Sequence, residues 1–122
     1  MGVLAGARDL SGLTVLSLEA NNVGDRGVAE LLDSRLAPQL AELVLVNNAI
    51  GDEGAERLAS SPGLAQLEYL QLCCNRIGDR GAHALAASPH LQRLKELSLT
   101  ANSIGEEARA ALRERFGDRL TV

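Results

Sequence analysis

Asn21, Asn48, Asn75 and Asn102 are spaced by 27 residues each time. Nothing else in the chain limits its possible folds as strongly. The same interval carries Leu13, Leu40, Leu67 and Leu94, then Leu16, Leu43, Leu70 and Leu97, and then Leu18, Leu45, Leu72 and Leu99. Two residues after each asparagine stands Val23, Ile50, Ile77 or Ile104, followed by Gly24, Gly51, Gly78 or Gly105. Four copies therefore read L-x-x-L-x-L-x-x-N-x-(I/V)-G-(D/E), with Leu31, Leu58, Leu85 and Leu112 further on. A period of this length marks stacked supersecondary units, because one unit alone cannot bury its own apolar side.

The inside of one unit follows from side-chain geometry. In Leu-x-Leu, a period of two sends both leucines to one face and the residue between them to the other. Aromatics are only 2 % of the chain, so the core must be built from Leu, Ala, Val and Ile. The asparagine is suited to satisfying backbone groups where the chain leaves the strand. A stacked ladder of four is expected to lose roughly 1–3 kcal/mol per side chain removed. The glycine after Val or Ile is expected to allow a tight turn. Asp25, Asp52 and Asp79, with Glu106 in the last copy, stand where a helix N-cap belongs. Ala55, Ala82, Leu31, Leu58 and Leu85 give that helix an apolar stripe. Pro62 and Pro89 are placed to stop it.

These residues resemble the leucine-rich repeat family over nearly the whole chain. VGDRGVAELL, IGDEGAERLA and IGDRGAHALA are similar to its ribonuclease-inhibitor-like class, which occurs in bacterial proteins and in eukaryotic sensor receptors. The resemblance implies an α/β, right-handed solenoid shaped as a horseshoe arc, with parallel strands on the concave face and helices on the convex face. A single domain, 1–122, then divides into a partial unit 1–12, full repeats 13–39, 40–66 and 67–93, and a last repeat with a C-terminal cap, 94–122. Val3 to Asp9 align with the tail of a preceding helix, and Leu10 falls in the column of Leu64 and Leu91. The truncated first unit suggests either a fragment of a longer protein or a very short natural array. At the other end Ala110 to Phe116 is expected to be the last helix and Gly117 its stop. Leu120, Thr121 and Val122 are expected to return as a closing strand, shielded by Asp118 and Arg119.

The residues that could carry chemistry fit the repeat better than a reactive site. Cys73 and Cys74 lie between a core leucine and a ladder asparagine, Cys73 toward the concave surface and Cys74 near the turn. A reactive thiol needs a basic neighbour, and His83 belongs to the following helix on the far side of the unit. Adjacent cysteines with His83 and His90 do not have zinc-site spacing. Gly-Asp-Arg-Gly at Gly24–Gly27 and Gly78–Gly81 lacks the lysine of a phosphate loop, and its aspartate repels an anion. Glu106 and Glu107 read as helix N-terminal charge. No catalytic residue, metal ligand or cofactor is expected. The net charge of −4 and the scattered arginines argue against a nucleic-acid partner. With no apolar run of spanning length, no secretory leader and no disulfide framework, the expected setting is cytoplasmic, away from membrane.

The concave surface is left as the functional candidate. Its outward positions are Val15, Ser17 and Glu19; Glu42, Val44 and Val46; Tyr69, Gln71 and Cys73; and Glu96, Ser98 and Thr100. Val44, Val46, Tyr69 and Cys73 form its centre, with Glu19, Glu42 and Glu96 around them. A small apolar centre with an acidic border suits a protein partner bearing basic patches. The expectation is a non-enzymatic protein-protein interaction module, monomeric or in a weak end-to-end dimer. The alternatives are a structural or capping segment of a longer array, and, by family analogy, a regulator of inhibitor or GTPase-activating type.

Overall fold

The computed structural model describes residues 12–122. The readings of Val3–Asp9 and Leu10 lie outside those residues. Strands β1 (Val15–Ser17), β2 (Glu42–Val44), β3 (Tyr69–Gln71), β4 (Glu96–Ser98) and β5 (Leu120–Thr121) form one parallel sheet in chain order. Between them run helices α1 (Gly24–Leu32), α2 (Asp52–Ala59), α3 (Asp79–Ala87) and α4 (Glu106–Phe116). The result is an α/β leucine-rich-repeat solenoid, with the sheet on the concave side and the helices behind it. Pairing is in register with the sequence period in the first three steps, where Leu16 faces Leu43, Leu43 faces Leu70 and Leu70 faces Leu97; the closing strand, with Leu120 facing Leu97, comes after a shorter connection.

The core lies between sheet and helices. Leu43, Leu70 and Leu97 from the strands meet Leu31, Leu58, Leu85 and Leu112 from the helices, all fully buried. Leu45, Leu72 and Leu99 form a second inward file, and Ile50 and Ile77 fill the corner between strand and helix. Residues between these files face out, giving each of β2 and β3 an alternating burial pattern. The helical stripe follows the same logic, with Ala55, Leu58, Ala82 and Leu85 inaccessible to solvent.

Two ladders of polar side chains hold the turns. Asn75 Oδ1 accepts the N–H of Asn48 (2.9 Å) and of Ile50 (3.0 Å), while its Nδ2 donates to the carbonyls of Leu45, Leu72 and Cys73. Asn48 repeats this toward Asn21, Val23 and Leu18, and Asn102 toward Ile77 and Leu72. Asn48, Asn75 and Asn102 thus each satisfy backbone of the preceding unit as well as their own. Asn21 is exposed, and among the described residues its Nδ2 donates only to Glu19 O.

The aspartate column differs from the sequence expectation. Asp25, Asp52 and Asp79 do not cap their own helices; α2, α3 and α4 have Gly51, Gly78 and Gly105 at the N-cap, without a side-chain cap bond. Each carboxylate instead reaches the next unit's helix. Asp25 Oδ1 accepts from Gly51 N (2.8 Å) and Gly54 N (3.0 Å), and Asp52 Oδ1 from Gly78 N and Gly81 N (both 2.8 Å). The carboxylate therefore satisfies two free N–H groups at the positive end of a helix other than its own. Glu106 is likewise the first helical residue, not the cap. The glycine before each aspartate was expected to serve a tight turn, but only Gly24 has a left-handed φ, +64°. Gly51 and Gly78 are extended and serve as donors to the carboxylate.

Left-handed backbone falls instead on non-glycine residues beside the ladder asparagines: one before each, at Ala20 (φ 56°), Asn47 (58°), Cys74 (60°) and Ala101 (58°), and one after the first two, at Asn22 (53°) and Ala49 (57°). For an L-residue this conformation costs about 1–2 kcal/mol. Ala101 is exposed, so Ala101→Gly relieves the strain without loss of packing. After the extra unfolded-chain entropy of glycine is subtracted, a net gain of about 0.5–1 kcal/mol is expected as a higher urea midpoint. An unchanged or lower midpoint would show that the strain is not there.

At the C-terminal end α4 begins at Glu106, four residues before the expected Ala110. Gly117 ends it with φ +55°, and β5 closes the sheet against β4. Phe116 is buried beneath two guanidinium groups, Arg115 at 4.8 Å and Arg119 at 5.5 Å from its ring centre. Arg119 does more than shield the strand: its Nη1 donates to Leu94 O and its Nε to Phe116 O. Arg115 Nη1 donates to Leu85 O and Ala86 O near the end of α3, favourable ground for a cation. Burial, and secondarily the neighbouring Arg119 charge, hold the pKa of Arg115 below the ordinary arginine value.

Candidate protein-binding face

The twelve outward residues form three rows across the strands. Val15, Glu42, Tyr69 and Glu96 make the first, and Ser17, Val44, Gln71 and Ser98 the second, both fixed by the strand register. Glu19, Val46, Cys73 and Thr100 continue as a third row beyond the strand ends. Backbone bonds from Leu18 N to Val44 O, Leu45 N to Gln71 O and Leu72 N to Ser98 O carry the ladder between the second and third rows. None of the twelve is buried. Among the described residues Val15 is the one large hydrophobic side chain that is strongly exposed, at 49 %.

Each row has a distinct chemistry. The first sets one tyrosine between two glutamates. The second mixes valine with amide and hydroxyl groups. The third carries Val46 and the half-buried Cys73, whose Sγ lies 2.8 Å from Ser98 Oγ. Cys74 points elsewhere because its left-handed φ turns the chain out of the strand; it is exposed, and both thiols are free. His83 is exposed on α3 and His90 half-buried in the loop after it. The described residues contain no cluster of His, Cys, Asp or Glu able to hold a metal ion. No described helix is long and apolar enough to cross a membrane.

Behind the sheet, the C-terminal ends of α1 and α2 border an open depression lined by Leu32, Asp33, Arg57, Ser60 and Pro62. Gly-Asp-Arg-Gly serves chiefly to hold units together, although Arg26 of the first copy pairs with Glu30 on its own helix. In the second copy Asp79 accepts from Gly105 N at 2.7 Å, while Arg80 Nε donates to Glu56 on the neighbouring helix. Sequence reasoning missed this junction. Its signal was the second glycine, Gly54 and Gly81, three residues after the first.

Comparison with known proteins agrees with this architecture. The leucine-rich repeat family model matches three times, over residues 12–32, 39–59 and 66–86, together just over half the chain. No curated protein matches the sequence. Among solved structures, the chain is similar to the actin-binding site 2 of leiomodin-1, with a TM-score of 0.64 at 17 % identity, covering 83 % of this chain. It spans 62 % of that structure's length, and the likeness is one of fold. Three family matches set on a 27-residue beat, over a sheet paired at the same interval, place this chain in the leucine-rich repeat family.

Proposed function

We propose that the chain is a non-enzymatic protein-binding module and that its concave sheet face is the contact surface. One observation carries this reading: a hydrogen-bonded sheet, locked from behind by core and ladders, leaves twelve outward side chains accessible in fixed rows. Binding on such a surface orders little backbone and so loses little conformational entropy. The family typically serves as a non-enzymatic interaction scaffold. The fold likeness to the leiomodin-1 domain carries no partner across to this chain. Glu19, Glu42 and Glu96 favour a partner with basic groups over a nucleic acid.

We read residues 13–39, 40–66 and 67–93 as full units and 94–122 as the last unit with its cap. The eight- to eleven-residue helices behind the sheet fit the ribonuclease-inhibitor-like class. Two unbridged thiols suit a cytoplasmic setting. A monomer is the expected state, with a weak end-to-end dimer appearing only at high concentration in light scattering.

The test is affinity capture from lysate of the source cell, followed by titration of the captured protein. Tyr69→Ala removes the one aromatic of the face, and Val44→Glu puts charge into its apolar part. Each is expected to weaken binding by about 30-fold, the hot-spot scale of roughly 2 kcal/mol, with the circular dichroism spectrum retained. Wild-type affinity in both variants would remove the sheet face as the contact surface.

A further inference from the structure

The first row of the face has an arrangement that the fold does not need. Parallel in-register pairing sets Glu42, Tyr69 and Glu96 side by side, each about 4.8 Å from the next. The tyrosine ring therefore lies between two carboxylates. Among the described residues no cation answers either of them. Lys95 pairs with Glu68 at 3.4 Å, and Arg26, Arg57 and Arg80 pair with Glu30, Glu53 and Glu56 on the helices. Glu42 and Tyr69 are half-buried and Glu96 is exposed, so the row is open to a ligand.

We propose, resting on the reading of this face as a contact surface, that the row is the seat of an arginine side chain on an extended segment of a protein partner. A guanidinium stacks flat on an aromatic ring, and its N–H edges lie in the plane that reaches carboxylates on either side. A lysine ammonium is a point charge with no planar fork, and it satisfies one side of the seat less completely. The segment also has a second contact. Val44 belongs to the next row, two residues along the strand at about 3.3 Å per residue, and an extended peptide has the same rise. A segment lying along the seam between β2 and β3 therefore places arginine over Tyr69 and, two residues later, an aliphatic side chain against Val44. The recognition sequence is Arg-x-aliphatic.

A random-peptide display library selected against the full chain tests this. Selected peptides are mapped by backbone amide shifts and titrated against wild type and the Glu42→Gln/Glu96→Gln double variant. The expected peptides carry Arg-x-(Leu, Ile or Val) and shift the amides of Glu42, Tyr69 and Glu96. Replacing their arginine by citrulline, which keeps the shape and removes the charge, is expected to weaken binding at least about 10-fold, as is the double variant. Lysine in its place is expected to cost about 3-fold. Peptides that map to the sheet face but tolerate citrulline and the double variant overturn the arginine seat and leave the contact surface standing. Peptides that map to the helices overturn both. An empty selection overturns the seat.

Discussion

Asn75→Ala is expected to destabilise the chain by about 3–5 kcal/mol, more than the 1–3 kcal/mol expected for a single lost partner. The larger figure comes from counting what alanine leaves behind. Of the five groups bonded to Asn75, Cys73 O still accepts from Asn47 N, and Leu72 O from Asn102 Nδ2. The N–H groups of Asn48 and Ile50 and the carbonyl of Leu45 lose their one partner. Three orphaned groups at the lower end of the unit cost give the estimate, with some relief where water enters. Asn21→Ala is the matched control. Among the described residues it removes one exposed bond to Glu19 O, and a loss of no more than about 1 kcal/mol is expected. Equilibrium urea unfolding of both variants reads the difference, and equal midpoints would show that the ladder does not hold the turns.

Gly54→Ala gives the second large effect, with a sign that helix propensity does not predict. Within a helix, glycine to alanine ordinarily gains about 1 kcal/mol. Here the added Cβ meets Asp25 Oδ1 at 2.6 Å and Ile50 Cγ2 at 2.7 Å. Asp25 is the carboxylate that holds the N-terminus of α2, so the methyl group both overpacks the corner and displaces the cap. A loss of about 2–4 kcal/mol is expected from the two terms together. In an Asp25→Ala background the carboxylate is gone and only the Ile50 contact remains. The cost of Gly54→Ala should then fall by at least about 1 kcal/mol in a double-mutant cycle. Strict additivity would sever the link between the two residues. The fourth unit already contains the comparison: Ala108 holds the column of Gly54 and Gly81, and Asp79 bonds only Gly105 N.

The contrast between these two columns shows where sequence reasoning succeeded and where it did not. The leucine files and the alternation of the strands were legible because inward and outward are decided within three adjacent residues. The asparagine column was legible as a ladder because its spacing matched theirs. The aspartate column was misread because capping was treated as local, within one helix. Its partners lie 26 and 29 residues away, and only the stacking of units brings them near. The left-handed positions gave only a weak signal. Asn22 and Asn47 are of a type that tolerates this backbone, but Ala20, Ala49, Cys74 and Ala101 share the conformation with no residue type that announces it. The outward rows followed from alternation, whereas the lack of a cation beside Glu42 and Glu96 among the described residues needed the placement of Lys95 and the helical arginines.

The asparagine reaches toward the preceding unit and the aspartate toward the following one, so every joint is gripped from both sides by groups of fixed pitch. Such a joint measures phase and is indifferent to how many units come before it. A whole turn could be spliced in or out with each hand still finding its hold, while a change of one residue between strand and helix would leave both grasping at the wrong backbone. Length can be taken up only behind the helix, as in the 23-residue step from Leu97 to Leu120, and each turn adds another strip of the same width to the surface it offers.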